Sequence, residues 1–365
     1  MEILDIFWGI LHLCEQKGYS DIHLSTGYFP IIRNTSWEIQ QVQEFYVGED
    51  LVTLNIFQTQ DIDAILMHIL SKENYLAFMM QHEIDISYSN NGRTRYRVNC
   101  YQDTQGNSIA FRLIPEEIPT LESLGFWDTI KNLCQKSKGL ILMTGPTGSG
   151  KSTNLAGMID YINTNFKKHI ITIEDPIEFV FKNKLSLINQ REVGVHTKSF
   201  ERAMKSCLRE DPNVIMVWEM RDPETIKAAI TLAETWHLVF STLHTNDTVQ
   251  SIDRMVDVFP AEQQDQIRMQ LAMSLVAVIA QRLLPRADKD EKIAAREILL
   301  NNDAVRNLII SWKSHQLYSV IEIGQRQGMI LMDAYLGALY KKGFITKDVL
   351  MSSLRDTENV DYLIS

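Results

Sequence analysis

The sequence predicts an α/β fold in which a mostly parallel sheet carries a phosphate-binding loop, preceded by a smaller α+β domain. Three observations lead there. Beyond residue 138, short apolar runs alternate with helical patterns: GLILMT (139–144), HIITIED (169–175), NVIMV (213–217) and LVFSTL (238–243). Continuous apolar strands with helices between them form a parallel sheet covered on both faces. The first run is followed by a glycine-rich segment, Gly145-Pro146-Thr147-Gly148-Ser149-Gly150-Lys151-Ser152-Thr153. Residues 1–114 have a different texture, with helical patterns flanking short segments of period-two alternation.

The elements follow in order. The opening MEILDIFWGILHLCEQKGYSD has no basic n-region and no small-residue cleavage site, so it reads as an amphipathic helix and not a signal peptide. DIHLS (21–25), PIIR (30–33), DISYS (85–89), RTRYRVNCY (93–101) and SIAFRLI (108–114) alternate apolar and polar residues, with a turn signal at Asn90-Asn91-Gly92. These predict antiparallel hairpins with helices packed on one face. Residues 115–137, PEEIPTLESLGFWDTIKNLCQKS, carry two prolines and then a helical pattern, and read as the interdomain linker. The second domain spans 138–365. From about residue 247 its pattern is largely helical, apart from a strand at AAREILL (294–300). The apolar stretch Leu271–Leu284 is broken by Ser274, Gln281 and Arg282 and is too short to span a bilayer.

Composition excludes several classes. With 45% hydrophobic and 22% charged residues, the chain is an ordinary soluble protein, expected in the cytoplasm. A net charge of −10 argues against a broad nucleic-acid-binding surface. Cys14, Cys100, Cys134 and Cys207 are scattered without a C-x-x-C pair, which predicts reduced, mostly buried thiols and neither a zinc site nor a disulfide framework.

The chemistry centres on Gly145–Thr153, which matches G-x-x-x-x-G-K-[ST] between a buried strand and a helical pattern. Its glycines let backbone N–H groups converge on phosphate oxygens at a helix N-terminus. Lys151 is placed to reach the β- and γ-phosphates of ATP, and Ser152 to join a Mg2+ shell. Two carboxylates close neighbouring strands: Glu174 in IEDPIE (173–178), ahead of Asp175 and Pro176, and Glu219 in VWEMRD (217–222). One acid for the metal and one for the attacking water is the economical assignment, against the alternative that each caps a following helix. His244, in STLHTND (241–247), is a γ-phosphate sensor or a structural histidine.

Taken in order, the phosphate loop, IEDPIE, VWEMRD and STLHTND resemble the secretion ATPases of the type II/type IV pilus superfamily, and most of all the PilT-type retraction ATPases. The likeness runs through SDIHLSTGYFPIIR near the N-terminus, RYRVN (95–99), AFRLIP (110–115) and AVRNLI (304–309). It implies a RecA-like P-loop domain behind a PAS-like N-terminal domain, and a Mg2+-dependent ATPase that retracts a type IV pilus. By the resemblance, Glu174 is the general base, Glu219 supports Mg2+, and His244 couples nucleotide state to a subunit boundary. Arg97 and Arg112, with Arg95 a weaker candidate, approach a nucleotide shared within a homohexamer. The ring docks on an inner-membrane platform protein, peripheral to the membrane and without nucleic acid. Extension-type motors carry a tetracysteine zinc insert that four scattered cysteines cannot supply, which favours retraction over type II secretion or pilus assembly.

The chain departs from that family at four tryptophans. The family reads VGEMRD where Trp218 stands and AETGHL where Trp236 stands. It also has glycine at Trp312, before KSHQ, and at Trp37, before Glu38. Glycine and tryptophan are opposite extremes of volume, and even extra methylenes in a tight site cost about 1–3 kcal/mol. The expectation is that the gene reads UGA as glycine and was rendered through another translation table. If the tryptophans are genuine, the alternative is a nucleotide-binding subunit with impaired hydrolysis.

Overall fold

The computed structural model describes residues 2–33, 38–47, 50–90, 94–114, 117–220, 222–289 and 291–355. The chain divides into two compact units, Met1–Glu117 and Ile118–Ser365.

The first unit begins with α1 (Ile3–Lys17), ended by Gly18 in the left-handed conformation. Next come β1 (Asp21–Ser25), β2 (Ile31–Arg33), β3 (Ile39–Gln41), β4 (Glu44–Val47) and β5 (Asp50–Thr53). α2 (Thr59–Ile69) and α3 (Lys72–Gln81) follow, then β6 (Glu83–Asn90), β7 (Thr94–Asp103) and β8 (Gly106–Ile114). Among the described residues, six strands form an antiparallel sheet in the order β3-β2-β1-β8-β7-β6, while β4 and β5 make a separate hairpin. Alternation is clear in β7: Tyr96, Val98 and Cys100 are buried against Phe7, Ile10 and Leu11 of α1 and Ile62 of α2. Arg95 and Arg97 lie on its other face, as period-two geometry requires. The predicted hairpin is the β6–β7 pair; Asn91 and Gly92 of its turn lie outside the described residues.

The second unit runs through α4 (Asp128–Cys134), β9 (Gly139–Thr144), α5 (Lys151–Asn165), β10 (His169–Glu174), β11 (Leu187–Glu192), α6 (Phe200–Cys207), β12 (Val214–Val217), α7 (Pro223–Glu234) and β13 (Leu238–Leu243). It continues with α8 (Thr248–Asp257), α9 (Ala261–Ser274), β14 (Leu275–Pro285), β15 (Lys292–Leu300), α10 (Asp303–Ile310), α11 (Leu317–Ile323), α12 (Met332–Lys341) and α13 (Lys347–Ser353). Among the described residues, seven strands form one sheet in the order β11-β10-β12-β13-β9-β14-β15, parallel except for the β14–β15 pair. Every residue of β9, β12 and β13 is buried, which is why these strands read as unbroken apolar runs.

Two strands of the second unit differ from the sequence expectation, and β3, β4 and β5 of the first unit were not among the expected strands. The region after residue 247 holds a second strand besides the expected one, because β14 pairs in parallel with β9 and lies between it and the edge strand β15. A long apolar run has no period by which to separate strand from buried helix. β11, whose exposed and buried residues alternate, was not anticipated either. Residues of the connecting stretch, Leu121, Phe126, Ile130 and Leu133, are built into the second unit's core. The four cysteines are free and buried, and burial pushes each thiol up to about 12.

Candidate active site

Parallel pairing of β10, β12, β13 and β9 brings the C-terminal ends of four adjacent strands to one edge of the sheet. Ligands of open α/β sheets bind outside that edge. Glu174 ends β10, Glu219 follows β12, His244 follows β13, and Gly145–Gly150 lead from β9 into α5. Each residue that the motifs singled out in the second unit therefore emerges on the same side.

The loop turns on Gly145, at φ +145°, where a Cβ would lie 2.2 Å from the Gln281 carbonyl oxygen and 2.7 Å from Ser149 Oγ. Only glycine fits there. Lys151 is buried, and its Nζ donates to the carbonyls of Gly145 (2.9 Å) and Pro146 (3.1 Å). Burial pushes its pKa down, opposed by the nearby Glu219 carboxylate. Among the described residues, the buried Ser149 hydroxyl has no hydrogen-bond partner, and neither do those of Thr144 at the end of β9 and Thr242 in β13. Of the three, Ser149 lies in the loop itself, where its hydroxyl has a donor to offer a phosphate oxygen.

The two carboxylates have different environments. Glu174 is 3% exposed. It accepts hydrogen bonds from Thr172 Oγ1 (2.6 Å) and Gln190 Nε2 (3.1 Å). Burial dominates and pushes its pKa up to about 7, although these donors pull the other way. Gln190 is itself pinned, donating to the Phe179 carbonyl (2.8 Å) and accepting from Phe181 N–H (2.9 Å). Glu219 is also buried and pairs closely with His244 Nε2. Neither acid is a helix cap. That task falls to Asp222, which accepts from Thr225 N–H at the start of α7, and to Asp247 at the start of α8.

Arg97 and Arg112 lie directly opposite each other on β7 and β8, in the first unit, with Arg95 two residues before Arg97. Arg112 Nε donates to Asp21 Oδ1 (2.8 Å); against the effect of burial, the Ser20 hydroxyl and then Arg112 hold the Asp21 carboxyl below its usual range. The structure thus unites Glu174, Glu219, His244 and Lys151 at one edge, and it places the arginines in the other unit.

The tryptophans fall at telling positions. Trp218 lines a cavity of about 10 Å3 together with Ser152, Glu174 and Glu178. That is room for about one water. Trp236, directly after the cap of α7, has φ +70°, and Trp312, directly after the cap of α10, has φ +59°. At Trp312, Lys313 N–H bonds to the Leu308 carbonyl (3.0 Å) and Trp312 N–H to that of Ile309 (3.4 Å). This is the helix ending in which glycine takes the left-handed place. Trp37 lies outside the described residues.

Residues 82–322 match the type II/IV secretion system protein family. The chain belongs to that family. Within it, the chain is 42% identical over 352 residues to "Type IV pilus retractation ATPase PilT" of Pseudomonas aeruginosa, spanning 96% of this chain and 98% of that one. It is 43% identical over 318 residues to "Twitching motility protein" of Neisseria gonorrhoeae, with 87% and 85% covered. The crystal structure of the pilus retraction motor PilT with bound ADP aligns with a TM-score of 0.88 at 41% identity, covering 97% of this chain and 98% of that one. Sequence reasoning missed Thr172 and Gln190 around Glu174. Their signal was present: polar residues at strand positions directly paired across β10 and β11.

Proposed function

We propose that this member of the type II/IV secretion family is an ATP-hydrolysing motor that powers type IV pilus retraction. It works as a homohexamer at the inner face of the cytoplasmic membrane, docked on the pilus platform protein. The supporting observation is the convergence, at one edge of four neighbouring strands, of the phosphate loop, the buried Glu174 with its pKa near 7, and the Glu219–His244 pair. A base poised near neutral pH is what removal of a proton from an attacking water needs. The relatives named above, a retraction ATPase and a twitching motility protein, support the same reading.

The roles follow from chemistry. Gly145, Pro146, Thr147, Gly148, Ser149, Gly150 and Thr153 shape the loop around the phosphates, and Lys151 exchanges its loop carbonyls for phosphate oxygens. Ser152 and Glu219 offer the hard oxygen donors that Mg2+ takes. When bound, Mg2+ neutralises charge on the β- and γ-oxygens. Glu174 orients the water, and His244 senses the nucleotide through Glu219. In the homohexamer, Arg97 and Arg112 of residues 1–114 approach a nucleotide shared with a neighbouring subunit and serve as guanidinium donors to the transition state, and residues 115–137 link that domain to the catalytic domain, 138–365.

A second reading is favoured by Trp218, whose indole stands beside Ser152 and Glu174. That chain would bind nucleotide without hydrolysing it. Mg-ATP turnover by the chain as given, by Trp218→Gly and by Glu174→Gln distinguishes the two. Turnover in Trp218→Gly that a further Glu174→Gln change abolishes supports the motor. Nucleotide binding without turnover in either tryptophan or glycine form overturns it. Complementation of a strain lacking its retraction ATPase then separates retraction from pilus assembly or type II secretion.

A further inference from the structure

Arg296 of β15 is 2% exposed and forms no salt bridge among the described residues. A buried guanidinium is costly unless its donors are satisfied. Here Nε donates to Gln281 Oε1 (2.6 Å), and the two terminal nitrogens donate to the carbonyls of Gly125 (3.3 Å) and Leu124 (2.5 Å). The guanidinium also lies 4.1 Å from the Phe126 ring centroid. Three consecutive residues of the segment that follows the first unit are therefore held by one side chain.

Gln281, paired directly opposite Arg296 on β14, carries the contact onward. Its Nε2 donates to the Ser149 carbonyl in the phosphate loop (2.6 Å), and its Oε1 also accepts from Asn154 of α5 (2.7 Å). Two donors on Oε1 and a carbonyl on Nε2 fix the orientation of the amide, because a flip would set donor against donor. Its backbone carbonyl is the group that excludes a Cβ at Gly145. A second contact joins the same two parts independently. A Cβ at Gly157, in the phosphate-loop helix, would lie 2.7 Å from Leu124 Cδ1 and 3.0 Å from the Pro119 carbonyl, so the connecting segment rests directly on α5.

We infer that Gln281 and Arg296 are positioning residues that tie the Ser149 turn of the phosphate loop to residues 124–126, so that nucleotide bound in the loop is felt in the segment leading from the first unit. A buried arginine facing carbonyls, where an apolar side chain would fill the space at less cost, is explained by this directional linkage. The inference rests on the reading of Gly145–Thr153 as an ATP site.

Hydrogen exchange of the full chain, with and without Mg-ADP, tests it alongside steady-state turnover. Mg-ADP is expected to change protection of the Leu124, Gly125 and Phe126 amides. Gln281→Glu, which keeps the acceptor toward Arg296 but sets an anionic oxygen against the Ser149 carbonyl, is expected to raise KM for ATP at least tenfold, with a smaller change in kcat. Arg296→Lys keeps a cation but loses the fork on Leu124 and Gly125, and should abolish the nucleotide-dependent change at residues 124–126. A merely structural role would lower Tm while leaving that change intact in Arg296→Lys, and this result overturns the inference. So does an unchanged exchange pattern in the parent chain that demonstrably binds Mg-ADP, which needs no variant to fold. Failure of the parent and of Trp218→Gly to bind Mg-ADP at all removes the ATP-site reading and the inference together.

Discussion

Replacing Trp236 by glycine and, separately, by alanine isolates backbone strain from side-chain contact. Both changes delete an indole that is 72% exposed and sits 3.9 Å from Lys138 Nζ. That shared loss is about 0.5–1 kcal/mol. The two variants differ only in whether a Cβ is present at φ +70°. The left-handed conformation costs an L-residue roughly 1–2 kcal/mol, and glycine returns about 0.4–1 kcal/mol of that through its freer unfolded chain. Trp236→Gly is therefore expected to be more stable than Trp236→Ala by about 0.5–1 kcal/mol, a Tm difference of a few degrees at most. In an ordinary helix interior the order is reversed by a similar amount, so the sign alone is diagnostic. Urea midpoints with matched m-values measure it. An alanine variant as stable as the glycine variant, or more so, would refute the strain argument. Trp312, at φ +59°, is the harder trial. Its ring lies 3.7 Å from the guanidinium of buried Arg268, and its Nε1 donates to Asp265 (3.0 Å). Both replacements should fall below the parent there, with glycine still above alanine.

Other outcomes follow from the same residues. Glu174 has a folded pKa raised to about 7 by burial, so turnover should climb with pH through that value, and a flat profile between pH 6 and 8 would contradict its role as base. The folded state holds this proton after the unfolded chain has released it, so stability falls as pH rises from the ordinary glutamate range to about 7. Glu174→Gln should accordingly be more stable than the parent at pH 8, by roughly 2–4 kcal/mol, with the gap closing toward pH 5. Sequencing the gene should show UGA at positions 37, 218, 236 and 312, and UGG at these sites would end the glycine reading.

Much of this was legible because the decisive signals were local. The phosphate loop is a contiguous motif, and β9, β12 and β13 are apolar throughout because both their faces are covered. Glu174, Glu219 and His244 stand at strand ends, where the apolar runs stop. The missed elements depended on distant partners. β14 reads as a generic apolar stretch until its pairing with β9 is known. Gln281 and Arg296 interrupt apolar runs, and the first of them argued only against a membrane span. Their meaning lies in carbonyls more than a hundred residues away, which no periodicity records. The strain at Trp236 and Trp312 is a property of φ, and only the family pattern hinted at it beforehand.

The place of β14 also has a consequence for the order of assembly during synthesis. The phosphate loop leaves the ribosome early, yet the strand beneath it, β9, has its second neighbour only when residues 275–285 have followed. Until then β9 is an open edge, and the Ser149 carbonyl lacks the amide of Gln281. A nascent chain halted before β14 thus carries the complete nucleotide motif without the support that shapes it. The amide that meets the Ser149 carbonyl comes from a strand made only after most of the polypeptide.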